Sequence, residues 1–158
     1  LINCAGSNYN SFAHKSEVDE WVKVIDVNLI GTYKVIREIL PIMREEGYGR
    51  IINFSSVVGQ IGIPGTSAYA ASKTGLWGLT RAIAVENAKK GITINNLNLG
   101  YFDIGMISEV SSQFQDAIKS KIPSGKFGNP ENIYKVIQLL READDINGTS
   151  VDINSGLY

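Results

Sequence analysis

Residues 50–54 (R-I-I-N-F) form a short, nearly all-apolar run between two helix-length amphipathic stretches, and this alternation limits the available folds more than any other feature. Upstream, Val18, Trp21, Val22, Ile25, Leu29, Tyr33, Ile36, Ile39 and Leu40 recur at helical spacing. The pattern predicts a helix over 17–46, capped by Ser16 with Asp19 three residues on and stopped at Gly47. Downstream, a Gly-rich loop over 55–66 leads into a second long helix over 67–90, closed by Gly91. Strands are expected at 1–4, at 92–97 (I-T-I-N-N-L, rich in β-branched residues) and at 149–153. A polar loop spans 5–16 and another loop 99–108. A short helix is expected over 110–121, before Pro123, and a last one from Pro130, with Asn129 as its cap, to about Glu142. Strands alternating with helices imply an α/β fold in which a parallel sheet is covered on both faces.

At 158 residues the chain is one domain, 1–158, by length. The formal net charge is −1, with no run of Lys or Arg, which argues against nucleic acid and anionic membrane as partners. Residues 51–72 carry no charge, but Asn53, Gln60, Pro64 and several Ser and Gly make them a poor membrane span. Cys4 is the only cysteine, so no internal disulfide can form; this fits a reducing compartment and a cytoplasmic location. No metal-ligand cluster stands out, and His14, in a polar loop, reads as exposed rather than catalytic. Trp21 and Trp77 fall in apolar stripes and read as packing residues.

The chemistry concentrates at 69–73, Y-A-A-S-K, with Ser56 thirteen residues upstream. Tyr69 and Lys73, at i and i+4, share one side of a helix. A phenol is a poor acid at neutral pH, with a reference pKa of about 10. A cation one turn away favours the phenolate and is expected to lower that value, making the pair a proton donor for a carbonyl becoming an alcohol. Ser56 could hold the carbonyl oxygen, or merely cap a turn at the strand end. Both residues would lie beyond the carboxyl ends of the strands, where open α/β sheets build their sites. Asn28, flanked by apolar residues in a helix, could simply satisfy a local carbonyl.

Across essentially all 158 residues the chain resembles the short-chain dehydrogenase/reductases, in particular the compact type that includes the 3-oxoacyl-acyl-carrier-protein reductases. The likeness rests on N-C-A-G at 3–6, D-V-N-L-I-G at 26–31, G-R-I-I-N-F-S-S-V-V-G at 49–59, Y-A-A-S-K at 69–73, L-G-Y-F-D-I-G-M at 99–106, F-G-N-P-E-N-I at 127–133 and N-G-T-S-V-D-I-N-S-G at 147–156. The resemblance implies a Rossmann-like doubly wound parallel sheet, here its C-terminal portion of about four strands with flanking helices. It implies an NAD(P)-dependent reduction of a ketone, a 3-oxoacyl thioester or similar, with NADP or NAD as cofactor. Tyr69 would give the proton, Lys73 would lower the Tyr69 pKa and bond the nicotinamide ribose, Ser56 would orient the substrate oxygen, and Asn28 would hold a water linking Lys73 to solvent. Asn3, Ala5, Gly6, Leu99, Gly100 and Ile104 would join Tyr69 and Lys73 in contacting the cofactor. A homo-oligomer, dimer or tetramer, is implied through the helices at 17–46 and 67–90; Trp77, Leu79 and Ile83 serve either that contact or the core.

Several positions depart from the family pattern. Cys4 stands for an Asn and is expected to pack, Leu99 stands for the Pro of a P-G loop, and Ile104 replaces a Thr hydroxyl that often meets the nicotinamide amide. The phosphate-cradling T-G-x-x-x-G-x-G does not occur in the sequence, nor does the residue that separates NAD from NADP. The opening L-I-N-C-A-G suggests a fragment whose nucleotide-binding half, roughly 90 residues at about 30 per βαβ unit, is absent. Such a piece is expected to expose a sheet edge and apolar helix faces, and to be inactive alone. A sugar or polyol dehydrogenase of the same family and a non-catalytic association module remain alternatives. A nucleotide-sugar epimerase shares the Tyr/Lys spacing but needs a larger C-terminal substrate domain.

Overall fold

The structure, a computed structural model, describes residues 1–105, 107 and 110–158; Met106 and Ser108 of the expected 99–108 loop and Glu109 lie outside the described residues. Four strands, β1 (Ile2–Asn3), β2 (Gly49–Ser56), β3 (Ile92–Leu99) and β4 (Ser150–Ile153), form one all-parallel sheet in the order β1-β2-β3-β4. Helices α1 (Val18–Ile25), α2 (Thr32–Glu46), α3 (Ser67–Asn87), α4 (Ser112–Lys119) and α5 (Pro130–Glu142) connect and flank them. The parallel α/β sheet expected from strand–helix alternation is therefore present, in the four-stranded Rossmann-like form that the resemblance implied.

Each face of the sheet has its own core. Ile51, Ile92 and Ile94 meet Ile83 and Ala84 of α3 and Ile36 of α2 on one side. Ile52 and Leu97 meet Ile133 and Leu140 of α5 on the other. Full burial of each such side chain stabilises the fold by about 1.5–3 kcal/mol. Toward the carboxyl ends of the strands the α3 face turns polar. Asn3, Asn53, Asn96 and Ser150 lie at one register level across all four strands. The Asn3 amide donates to Asn53 Oδ1 (2.8 Å), Asn53 to Asn96 Oδ1 (3.3 Å), and Asn96 to Ser150 Oγ (3.1 Å). Thr80 of α3 closes the row, donating to Asn96 Oδ1 (2.8 Å) and accepting from Asn53 (3.1 Å). Two residues further on, Ser55, Asn98 and Asp152 form a second register row.

Some local expectations are corrected. The helix expected over 17–46 runs unbroken from Val18 to Glu46 but is not α-helical throughout: Asp26–Gly31 is a π-helical segment between α1 and α2. Ser16 does not cap it; its hydroxyl donates to Ala13 O within a 3-10 turn (Ala13–Lys15), and α1 starts after Glu17 without a side-chain cap. Cys4 is exposed rather than packed. β2 runs on to Ser56, and a 3-10 turn (Val57–Gly59) follows within the expected loop. The stops at Gly47 and Gly91 are real, both glycines being left-handed (φ +64° and +69°). Asn129 caps α5 by accepting from Glu131 N (2.9 Å).

Candidate functional site

The site is built where β2 ends and α3 begins. Ser56 is the last residue of β2, and its Oγ accepts from Val58 N (3.2 Å), capping the turn Val57–Gly59. Capping uses an oxygen lone pair and leaves the hydroxyl hydrogen able to donate elsewhere. Tyr69 and Lys73 lie one turn apart on α3 and on the same side, with Lys73 Nζ 5.5 Å from the Tyr69 ring centroid.

Lys73 is 5% exposed. Its ammonium donates to Phe54 O (2.7 Å), and no carboxylate pairs with it among the described residues. Burial lowers its pKa to about 8; the neighbouring Cys4 acts weakly in the opposite sense. The Tyr69 phenol moves the other way from the sequence expectation. Burial pushes its pKa up, Ser56 pulls it back through a side-chain hydrogen bond, and the Tyr101 phenol adds to the rise. Loss of hydration on burial dominates, and the Lys73 ammonium, hydrogen-bonded to the Phe54 carbonyl, does not reverse it.

Asn28 lies in the π-helical segment and is 1% exposed. Its amide donates to Ser7 O (2.9 Å) and Ser72 Oγ (3.0 Å), while its Oδ1 accepts from Ser7 N (2.8 Å). Both amide hydrogens are thus committed, and one Oδ1 lone pair is left. Its backbone carbonyl accepts from Thr32 Oγ1 (2.9 Å), which absorbs a group that the widened helical turn loosens. Asn28 and Lys73 converge at Gly6: a Cβ there would lie 3.5 Å from Asn28 Oδ1 and 3.6 Å from Lys73 Nζ.

Among the other expected contact residues, Ala5 and Gly6 are exposed beside this convergence. Asn3 commits its amide to the sheet row. Leu99 and Gly100 end β3 alongside Ser56, where Gly100 is pressed against Asn154 so tightly that a Cβ would come within 2.8 Å of its Cα. Ile104 is 53% exposed. An apolar wall backs the site: Val57, Ile122 and Leu157 are buried, with Val58, Ile61, Tyr101 and Ile118 against them.

Two residues of this network escaped the sequence reading. Ser72 is fully buried, donating to Tyr69 O (2.7 Å) while accepting from Asn28. Trp77, assigned to packing, donates its indole N–H to both Ser55 Oγ (3.1 Å) and Asn98 Oδ1 (3.0 Å). Its position one turn after Lys73, on the same helix side, was the available signal. Among the described residues no group of three or more His, Cys, Asp or Glu could hold a metal ion, and no helix is long and apolar enough to cross a membrane.

The family model described as short chain dehydrogenase matches residues 1–115. The acetoacetyl-CoA reductase of Allochromatium vinosum is 38% identical over 160 residues, covering 100% of this chain and 65% of that protein. The 3-oxoacyl-[acyl-carrier-protein] reductase of Pseudomonas aeruginosa is 36% identical, covering 100% of this chain and 65% of that protein. A crystal structure described provisionally as a gluconate dehydrogenase from Agrobacterium tumefaciens superposes with a TM-score of 0.93 at 28% identity, covering 99% of this chain and 64% of that one. The chain thus spans about 65% of the length of the curated relatives it matches.

Proposed function

We propose that this chain, which belongs to the short-chain dehydrogenase family, carries the proton-handling site of a nicotinamide-dependent reductase acting on a 3-oxoacyl thioester. One observation carries the reading: a buried lysine ammonium, whose acceptor among the described residues is a backbone carbonyl, stands beside a phenol on α3 and near a strand-end serine. A cation held this way, at a pKa of about 8, is costly unless the site uses it.

The residues fit the nicotinamide–ribose end of a dinucleotide. Lys73 has N–H groups left for ribose hydroxyls, and Gly6 keeps the ground beside Nζ free of a side chain. Ala5, Gly6, Leu99, Gly100 and Ile104 would line its path, with Asn3 acting through the sheet, and the bound group would supply the hydride. Tyr69 is protonated at neutral pH, as a phenol ordinarily is, and gives its proton to the ketone oxygen as the alcohol forms, although burial makes it a weaker acid. The Lys73 ammonium offsets the phenolate that remains. Ser56, its oxygen oriented by Val58 N, donates to the same ketone oxygen. Asn28, through its remaining lone pair, holds a water by which Lys73 and Tyr69 recover their proton.

The relatives named as acetoacetyl-CoA and 3-oxoacyl-acyl-carrier-protein reductases support the substrate class. Likeness to the gluconate dehydrogenase favours a second reading, a sugar or polyol dehydrogenase. Following NAD(P)H absorbance in the full-length gene product, with acetoacetyl thioesters against gluconate and polyols, separates the two. Turnover of the thioester is expected; oxidation of polyols alone would overturn the reading. We further assign the protein to the cytoplasm as a homo-oligomer joined through the helices at 17–46 and 67–90, where Val18, Val22 and Tyr33 are exposed. NAD and NADP both remain candidate cofactors.

A further inference from the structure

Asp152 lies on the edge strand β4 and is exposed, a setting in which a carboxylate ordinarily only meets water. Here one oxygen, Oδ1, accepts two amide donors: Asn98 Nδ2 (2.8 Å) and Gln60 Nε2 (2.8 Å). The first bond runs along the second polar row, from β3 to β4. The second spans 92 residues of sequence and reaches the turn that follows Ser56. That turn is also held from α3: Thr74 Oγ1 donates to Gly59 O (3.2 Å), and Gly59 packs so closely that a Cβ would come 2.9 Å from Thr74 Oγ1 and 3.2 Å from the Trp77 ring. The turn is clamped from both sides, by the helix at Gly59 and by β4 at Gln60.

The clamp bears on Ser56. Gln60 N and Ile61 N both donate to Val57 O (2.8 and 3.0 Å), so the side chain that Asp152 holds belongs to the residue that closes the turn. Inside that turn, Val58 N is the group that orients Ser56 Oγ. We propose that Asp152 is a positioning residue: by holding Gln60 it fixes the turn Val57–Gly59, and thereby the direction in which Ser56 presents its hydroxyl. Asp152 touches no reacting atom in this scheme. It acts through Gln60, with Asn98 of β3, itself held by the Trp77 indole of α3, setting the carboxylate's own place. The inference rests on the reductase reading for its consequence in catalysis, but its structural half stands apart from it.

The test uses Asp152→Ala, Gln60→Ala, the double variant and Asp152→Asn, each made in the full-length gene product. Each alanine variant is expected to lower kcat/KM for an acetoacetyl thioester roughly tenfold, mostly in kcat, because misaligned groups lose effective concentration. The double variant should lose no more than either single one, and Asp152→Asn should recover most of the loss. In parallel, amide exchange at Val58, Gln60 and Ile61 should quicken in both alanine variants while α5 keeps its protection. Additive losses from the two alanine variants, or unchanged exchange at Val58, would overturn the proposal. If the unsubstituted protein reduces no ketone, the functional reading falls by itself, and exchange at Val58 still decides the clamp.

Discussion

Replacing Asn96 by Ala tests how the sheet holds its polar row. Asn96 is fully buried and is the row's central member. Its Oδ1 accepts from Thr80 Oγ1 (2.8 Å) and Asn53 Nδ2 (3.3 Å), and its amide donates to Ser150 Oγ (3.1 Å) and Leu76 O (3.4 Å). Asn53 keeps Thr80 Oγ1 as an acceptor after the change, but the Thr80 hydroxyl, also fully buried, loses its own. Four lost hydrogen bonds at about 1 kcal/mol each, with a further ~1 kcal/mol for the stranded hydroxyl, give a loss of about 5 kcal/mol. For a domain of this size that lowers Tm by roughly 10–20 °C. Thr80→Val is the control: it removes the hydroxyl while Asn53 and Asn96 still have each other, and should cost only about 1–2 kcal/mol. Urea unfolding followed by circular dichroism measures both. If Asn96→Ala costs no more than Thr80→Val, the row contributes nothing beyond filled space, and the reasoning fails.

Lys73→Met should stabilise the fold while abolishing turnover. The Lys73 pKa is lowered from 10.5 to about 8, so burial costs stability in full below pH 8, and the cost fades as pH rises toward 10.5. Substitution should therefore add up to about 3 kcal/mol at pH 7 and remove that rise, readable from unfolding midpoints between pH 7 and 10.5. Tyr69→Phe should reduce ketone turnover by at least about a thousandfold with little change in Tm; retained turnover would sink the proton-donor role. Gly91→Ala should destabilise by more than about 2 kcal/mol, since its φ is +69° and a Cβ would lie 2.3 Å from Gly47 O; thermal unfolding decides it.

The sequence made the elements legible where one local rule sufficed. The apolar run inside β2, the glycine stops at Gly47 and Gly91, and the Asn129–Pro130 start of α5 each rest on short-range chemistry. Y-A-A-S-K was legible for the same reason, since helical spacing alone brings Tyr69 and Lys73 to one side. What stayed hidden depends on partners remote in sequence. The widened turn at Asp26–Gly31 accompanies the bonds that Asn28 makes to Ser7 and Ser72, 21 and 44 residues away. Ser16 looked like a cap, but its hydroxyl found Ala13 O first. The asparagines of β3 argue against a strand by propensity, yet each amide is satisfied by neighbouring strands, helices or loops. The direction of the Tyr69 shift was missed because spacing reveals a neighbouring charge but not how much water both groups lose.

The bulged turn between α1 and α2 has a consequence of its own. Each residue of a helix advances the side chains by about 100°, so a widened turn resets the angular count of everything after it. α1 leans on α3, whereas α2 lies against β2, and an unbroken rod would have to aim a single stripe at both. The Asn28 turn works as a phase shifter: it lets one continuous rod serve two differently oriented clients.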